Sequence, residues 1–290
     1  MRRYKVGFGV GVGFTVLMVL LAGIWPNGDT GDRGTAEVEP STSTSMAGAP
    51  AAEPTLGEGT ASPSPEPSPT ERATEPEPEV TAEPDEPARD VHGGPMGTRD
   101  RTGTDGIALT FDDGPDPNWT PRVLSALRER GVKATFCVIG AYAETNPDLI
   151  ADIVHDGHTM CSHTWFHELD LGQWSDEEIR ANLQRTNDAI EKAAPGTAVE
   201  YFRHPGGQWT DRAVRVAADM GMESLHWDVD PWDWDQSSGK AHIRDHVIDN
   251  TEPGSIVLLH DGASNQQNMY GALGPILDEF ERREYALIAL

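Results

Sequence analysis

An α/β domain built on a parallel sheet is predicted over residues 104–290, and three observations predict it. Seven short apolar runs alternate with helical stretches from Gly106 onward, and strands separated by helices pair in parallel through right-handed crossovers. Glycines such as Gly131 and Gly157 close the helical stretches. Polar residues able to do chemistry follow the apolar runs, at the strand ends where such folds collect their functional groups. A barrel and a doubly wound sheet both satisfy this pattern, and no internal repeat is present.

Taken in order, Ile107-Ala108-Leu109-Thr110-Phe111 reads as the first strand and Thr120 to Arg130 as a helix. Ala134 to Ile139 is the second strand. Asn146-Pro147 starts a helix, with Asn as cap and Pro at the first helical position, and that helix runs to Asp156. His158 to Cys161 is the third strand. Ser175 and Glu178 form a capping box that opens a helix reaching about Ala194. Strands near Tyr201, at Glu223 to Trp227, at Ser255 to Leu259 and at Tyr285 to Ala289 complete the set. Helices from Thr210, Lys240 and about Gly271 lie between them.

The rest of the chain has a different composition. Arg2, Arg3 and Lys5 precede Val6 to Trp25, a stretch without a charge that matches the ~20 apolar residues a bilayer core needs. It reads as a membrane anchor over residues 1–25, with secretion after signal cleavage as the alternative; no good small-x-small cleavage site is present. The basic residues stay in the cytoplasm and place the remainder outside the cell. Residues 26–103 are rich in Pro, Glu, Ser, Thr and Ala and too poor in apolar side chains to fold, so they read as an extended, disordered linker. Residues 26 to 100 hold sixteen Asp or Glu against four Arg, within a net charge of −26; that balance argues against nucleic acid as partner. The membrane is the expected partner of the N-terminal helix, and the catalytic domain is expected to act as a monomer.

Two cysteines, Cys137 and Cys161, fall in predicted strands. Outside the cell they are either a disulfide or two buried thiols.

Chemistry-bearing residues stand at one strand end after another. Asp112-Asp113-Gly114 follows the first strand; adjacent carboxylates repel unless a cation neutralises them, although such a turn is also common without one. His163 and His167 follow the third strand at i and i+4, a spacing that lets a helical turn present both to one metal. No Glu stands between them, which separates the pair from the metalloprotease pattern His-Glu-x-x-His. Arg203, with the Pro205-Gly206-Gly207 turn after it, offers a carboxylate partner and backbone N–H groups for an oxyanion. A surface arginine beside a tight turn is the alternative. Trp227, Trp232 and Trp234 stand beside Asp228, Asp230 and Asp233; core packing is one reading of the three indoles, and at least one of them is expected to face a sugar. Leu258, Leu259 and His260 end the sixth strand.

In this order the residues resemble the polysaccharide deacetylase family, also called the NodB-homology or carbohydrate esterase four family, over Thr104 to Leu290. The resemblance implies a distorted seven-stranded (β/α) barrel. It implies Asp112 as general base, and Asp113, His163 and His167 as ligands of a divalent metal, with Zn2+ preferred over Co2+ or Ni2+. It further implies Arg203 holding Asp112, Asp233 orienting His260 as general acid, and Gly206, Trp234 and Leu258 contacting substrate. The family's third motif usually carries an aromatic residue where Gly206 stands, so one wall of the groove is expected to be lost. The implied reaction removes N-acetyl groups from an extracellular polysaccharide, peptidoglycan or a chitin-like polymer of N-acetylglucosamine. An O-acetyl xylan esterase of the same family, a non-catalytic carbohydrate-binding protein and a metalloprotease are the competing readings.

Overall fold

Alternation along one strand sets the architecture. β1 (Ile107–Asp112) is buried over its whole length. Ile107, Leu109 and Phe111 join the large apolar cluster beneath the helices, while Ala108 belongs to a separate inner cluster with Cys137, Cys161, Leu225 and Ile256. Side chains alternate across a strand, so Thr110 and Asp112 face inward with Ala108. A sequence apolar on both faces is what a strand between a helical layer and an enclosed interior requires.

The computed structural model describes residues 90–290. The anchor expected at 1–25, and the linker as far as residue 89, lie outside the described residues. Among the described residues no helix is long and apolar enough to cross a membrane. After β1 come α1 (Thr120–Arg128), β2 (Thr135–Val138), α2 (Gly140–Thr145), α3 (Pro147–His155), β3 (Thr159–Ser162), α4 (Asp176–Ala193) and β4 (Val199–Phe202). They are followed by α5 (Asp211–Asp219), β5 (Glu223–Ser224), α6 (Lys240–Asn250), β6 (Ile256–His260), α7 (Gln266–Arg282) and β7 (Leu287–Ile288).

Every strand pairing is parallel, in the order β5-β4-β3-β2-β1-β6 with β7 on β1. Ile107 N–H donates to Ala286 O and Ala108 N–H to Ser255 O, which places β7 and β6 on opposite edges of β1. Beyond β5 the chain returns to β6 through a parallel bridge between Val229 and Val257. The sheet therefore curls toward a barrel, with isolated bridges rather than a full ladder joining its edges. The expected strand at Glu223 to Trp227 shortens to two residues, because its partner β4 ends at Phe202; its other edge is taken by Arg99, whose N–H donates to Ser224 O and whose O accepts from His226 N–H.

That segment also moves the expected boundary at residue 103. Residues 90–103 belong to the folded part, with Arg99 bridged to Leu225 and Arg101 to Ser255. The arginine side chains do the fixing: Arg99 pairs with Glu223, and Arg101 with Asp228 and Glu252.

Three further elements depart from expectation. α2 was not anticipated, because six residues are too few to show a helical period; its first N–H groups donate to Thr164 O and Trp165 O rather than to a side-chain cap. Asn146 stands at the start of α3 with Pro147 at the first helical position, as expected, but it also ends α2, and its side-chain amide donates to Tyr142 O at 3.0 Å instead of accepting from the first turn of α3. α7 begins before Gly271 and carries Pro275 within it. The capping box at Ser175 and Glu178 forms as expected. Cys137 and Cys161, in register on β2 and β3, are joined as a disulfide.

One buried histidine gives this fold a pH dependence. His158 Nδ1 accepts from Ala134 N–H at 3.1 Å, which a doubly protonated ring cannot do. Burial, reinforced by Lys133, holds its pKa down at about 4 against an ordinary 6.5. The folded value lies below the unfolded one, so the stability contributed is complete above pH 6.5 and is lost as the pH falls toward 4. The loss is at most about 1.4 kcal/mol per pH unit. Unfolding midpoints measured across this window should decline in the wild type and decline less steeply in His158→Phe; equal slopes would exclude His158 as the cause.

Candidate active site

The inward-facing residues at the carboxyl ends of the strands form one layer. Asp112 and His260 are partners across the β1–β6 ladder, and Arg203 follows β4. Arg203 is fully buried. Its Nε donates to Leu225 O at 3.0 Å and its Nη2 to His226 O at 3.1 Å; its Nη1 donates to Thr110 Oγ1 at 2.8 Å and to Asp112 Oδ1 at 2.7 Å. A guanidinium this enclosed persists only when its charge and donors are met. The arrangement rules out a surface arginine and fixes one oxygen of Asp112. The other, Oδ2, lies 3.8 Å from His163 Nε2, too far for a hydrogen bond.

Asp113, His163 and His167 converge beside it. Both Nε2 atoms lie 3.3 Å from Asp113 Oδ1, and the three donor atoms fall within 4.8 Å of one another. His163 Nδ1 sits 2.8 Å from Arg203 O; that carbonyl can only accept, so Nδ1 carries the proton and Nε2 presents its lone pair. Asp113 Oδ1 is buried without a hydrogen-bond partner despite its two imidazole neighbours. An unmet buried carboxylate oxygen is costly, and one carboxylate with two imidazoles is a donor set for zinc, cobalt or nickel. These residues therefore fit a divalent cation.

Backbone reversal, not a helical turn, brings the two histidines together. Thr164 has φ 65° and His167 φ 62°, and Asp113 before them in sequence has φ 70°. Left-handed backbone at such residues is uncommon and concentrates at functional sites. Glu168 N–H donates to Thr164 Oγ1 at 3.1 Å and Phe166 N–H to Glu168 Oε2 at 3.0 Å, closing the loop. Burial pushes the Asp113 carboxyl up, but contact with His163 and the charges of His260 and His167 outweigh it and hold it well below the usual carboxylate range.

Opposite, Asp233 grips His260 at two points. His260 Nδ1 lies 2.7 Å from Asp233 Oδ1, and the His260 backbone N–H donates to Asp233 Oδ2 at 2.8 Å. Burial pulls the imidazole down; the Asp233 carboxylate, with Asp113 and Asp112 beyond it, reverses the effect and pushes the pKa up to about 10. His260 is thus poised as a protonated acid at neutral pH.

A hollow of about 550 Å³ joins these groups, with Gly206, Trp227, Trp234 and Leu258 also on its walls. That volume is typical of ligand sites. Trp234 is half exposed and Leu258 nearly buried. Gly207 N–H donates to His204 O and Gln208 N–H to Pro205 O, whereas the Gly206 N–H takes no part in the turn's own bonds. All ten residues to which the resemblance assigns a role therefore come together, whereas Trp232 packs against His242 and His246 outside the hollow.

Others were missed. Asp230 and His204 line the hollow, and Asp228 turns out to be structural, accepting from Ser255 Oγ and Ile256 N–H. Asp261 is fully buried; its carboxyl accepts from Thr120 Oγ1 and its N–H donates to Asp112 O at 3.1 Å. It braces the corner after β1 so closely that a Cβ on Gly114 would come 2.5 Å from Asp261 Oδ1. Its place directly after His260 was the only signal in the sequence.

Comparison with known proteins agrees with this geometry. The family model for polysaccharide deacetylases matches residues 99–225. The chitooligosaccharide deacetylase of Sinorhizobium fredii is 43% identical over 164 residues, covering 57% of this chain and 75% of that one. A peptidoglycan-N-acetylglucosamine deacetylase of Bacillus cereus is 36% identical over 186 residues, covering 63% and 85%. Among solved structures, a mutant of a Bacillus anthracis CE4 family pseudoenzyme with restored enzymatic activity superposes with a TM-score of 0.60 at 30% identity, covering 66% of this chain and 68% of that one. With sequence, fold and site in agreement, this chain belongs to the polysaccharide deacetylase family.

Proposed function

We propose that the protein is a hydrolase of the amide bond in N-acetylated polysaccharides, releasing acetate from N-acetylglucosamine units of peptidoglycan or a chitin-like polymer. The observation that carries this reading is the pairing of two fixed catalytic groups across one pocket: Asp112 tied to Arg203 on one side, His260 tied to Asp233 on the other.

An amide needs an activated water, a stabilised oxyanion and a protonated leaving group. A divalent cation held by Asp113, His163 and His167, when bound, supplies a Lewis acid and lowers the pKa of water. Asp112 Oδ2, the oxygen Arg203 leaves free, accepts the water's proton. The uncommitted Gly206 N–H is the donor available to the oxyanion. His260 donates a proton to the departing amine nitrogen from Nε2, because Asp233 occupies Nδ1. Leu258 offers an apolar surface for the acetyl methyl, and Trp234 a half-exposed face for the sugar ring.

Two observations support a place outside the cell: the disulfide and the apolar segment of residues 6–25 with its basic flank. An anchored enzyme would meet the cell wall first, which favours peptidoglycan. The pseudoenzyme neighbour makes the fold alone insufficient for activity. Here Asp112, Arg203, Asp233 and His260 are all in place, against a purely carbohydrate-binding role. The non-helical His163–His167 loop and the missing Glu count against a metalloprotease.

Acetate release from N-acetylglucosamine oligomers, peptidoglycan and acetylated xylan by the full-length protein tests this directly. Turnover on the first two substrates is expected to exceed that on xylan. Release from xylan alone would replace the reading with an O-acetyl esterase, and sugar binding without any release would replace it with a binding protein.

A further inference from the structure

The ten histidines of this chain divide by what their rings touch. All but two have a hydrogen-bonded or ion-paired partner, from His92 on Glu223 to His260 on Asp233. Among the described residues, the rings of His242 and His246 have none.

Both stand on α6, at i and i+4, a spacing that sets one side chain above the other on a helix. The helical arrangement expected for His163 and His167 thus occurs here instead. The two ring centroids are 5.8 Å apart, against 5.1 Å for His163 and His167. Asp249, three residues beyond His246, falls on the same face. Ile243 and Val247 bury the neighbouring face in the core and fix the helix beneath the pair. His242 and Asp249 are exposed and His246 is half-buried, so these donors are open to solvent.

Trp232 closes the arrangement. Its indole stacks on His242 at 6.1 Å with an interplanar angle of 20° and meets His246 edge-on at 4.9 Å. Its backbone N–H donates to Asp230 Oδ1 at 2.8 Å, which ties the ring's position to the loop after β5. The carboxylates of Asp230 and Asp249 both act on the charge of His246. Two imidazoles with uncommitted nitrogens, in a negative field, suit a late first-row divalent metal and repel an anion. Asp230 also lines the catalytic hollow, but His242 and His246 do not.

We propose that His242, His246 and Asp249 form a second divalent-metal site, outside the catalytic pocket, that takes Zn2+ or Cu2+. Its open position predicts weaker binding than at the enclosed set of Asp113, His163 and His167, so it fills second.

Calorimetric titration of the metal-free full-length protein with Zn2+ tests this, in the wild type and in a His163→Ala background that disables the other set. His242→Ala and His246→Ala should each remove one equivalent in either background. Alanine suits an exposed helix position, so the helical circular dichroism should be unchanged. Asp249→Asn should raise the Kd at least about 10-fold. Full stoichiometry in both alanine variants would overturn the site, and an unchanged Kd in Asp249→Asn would overturn the three-donor set. Cu2+ then locates the ion. In the His163→Ala background it should quench tryptophan fluorescence, and most of that quenching should be lost in Trp232→Phe while calorimetry still finds the ion bound. Quenching that survives intact would place the ion elsewhere and contradict the proposal.

Discussion

Asp112→Asn should lower kcat for acetate release by about 10²–10⁴-fold while the protein still binds its metal. The amide oxygen of Asn can take over the 2.7 Å contact with Arg203 Nη1, so the buried guanidinium keeps its partner. What is lost is the second oxygen, replaced by an amino group that cannot accept a proton from water. Metal content, measured by elemental analysis, should be unchanged because Asp113 and the two histidines are untouched. Unimpaired turnover in this variant would remove Asp112 from the role of base.

His260→Ala is expected to cost a comparable factor, about 10²–10⁴, and Asp233→Asn provides the more informative companion. The Asp233 carboxylate does most to raise the His260 pKa to about 10. An acid must be protonated to act, so activity in the wild type persists to alkaline pH and falls as His260 loses its proton. Without the carboxylate the imidazole loses its proton at lower pH, and the alkaline limb of the kcat profile should move to lower pH. The acidic limb should move far less. An alkaline limb that stays in place would show that His260 is not the titrating acid.

The legibility of this protein in its sequence varied with the kind of constraint. β1 was readable because Ile107 to Phe111 is buried on both sides, and burial writes itself into composition. Its inward face was not, since no pattern in one strand says that Thr110 and Asp112 share an interior with Cys137 and Cys161. The end of β5 was misjudged because its neighbours set it: β4 stops at Phe202, and Arg99, from more than a hundred residues earlier, takes the other edge. Arg99 and Arg101 are basic residues in an acidic stretch, a signal available from the start.

The candidate site was legible in identity and illegible in conformation. His163 and His167 do converge on Asp113, as their spacing suggests, yet a helical turn is not how they meet. Positive φ at Thr164 and His167 depends on the packing of the loop and not on residue type. Buried networks escaped for the same reason. Arg203 looked equally able to be a surface residue until Thr110, Asp112, Leu225 and His226 were placed around it, and Asp261 meets Thr120 only because β6 lies against β1. The lost groove wall at Gly206 was anticipated; that Leu169 would occupy the space above it was not.

The central claim is that Asp113, His163 and His167 together hold one divalent cation on which hydrolysis depends. Removing metal from the full-length protein with a chelator, then restoring Zn2+ or Co2+ while following acetate release, examines it most directly, with Asp113→Ala and His163→Ala run alongside. The expected result is activity that disappears with the metal, returns at one equivalent per chain, and never returns in either variant. A metal-free sample retaining its full rate would contradict the account.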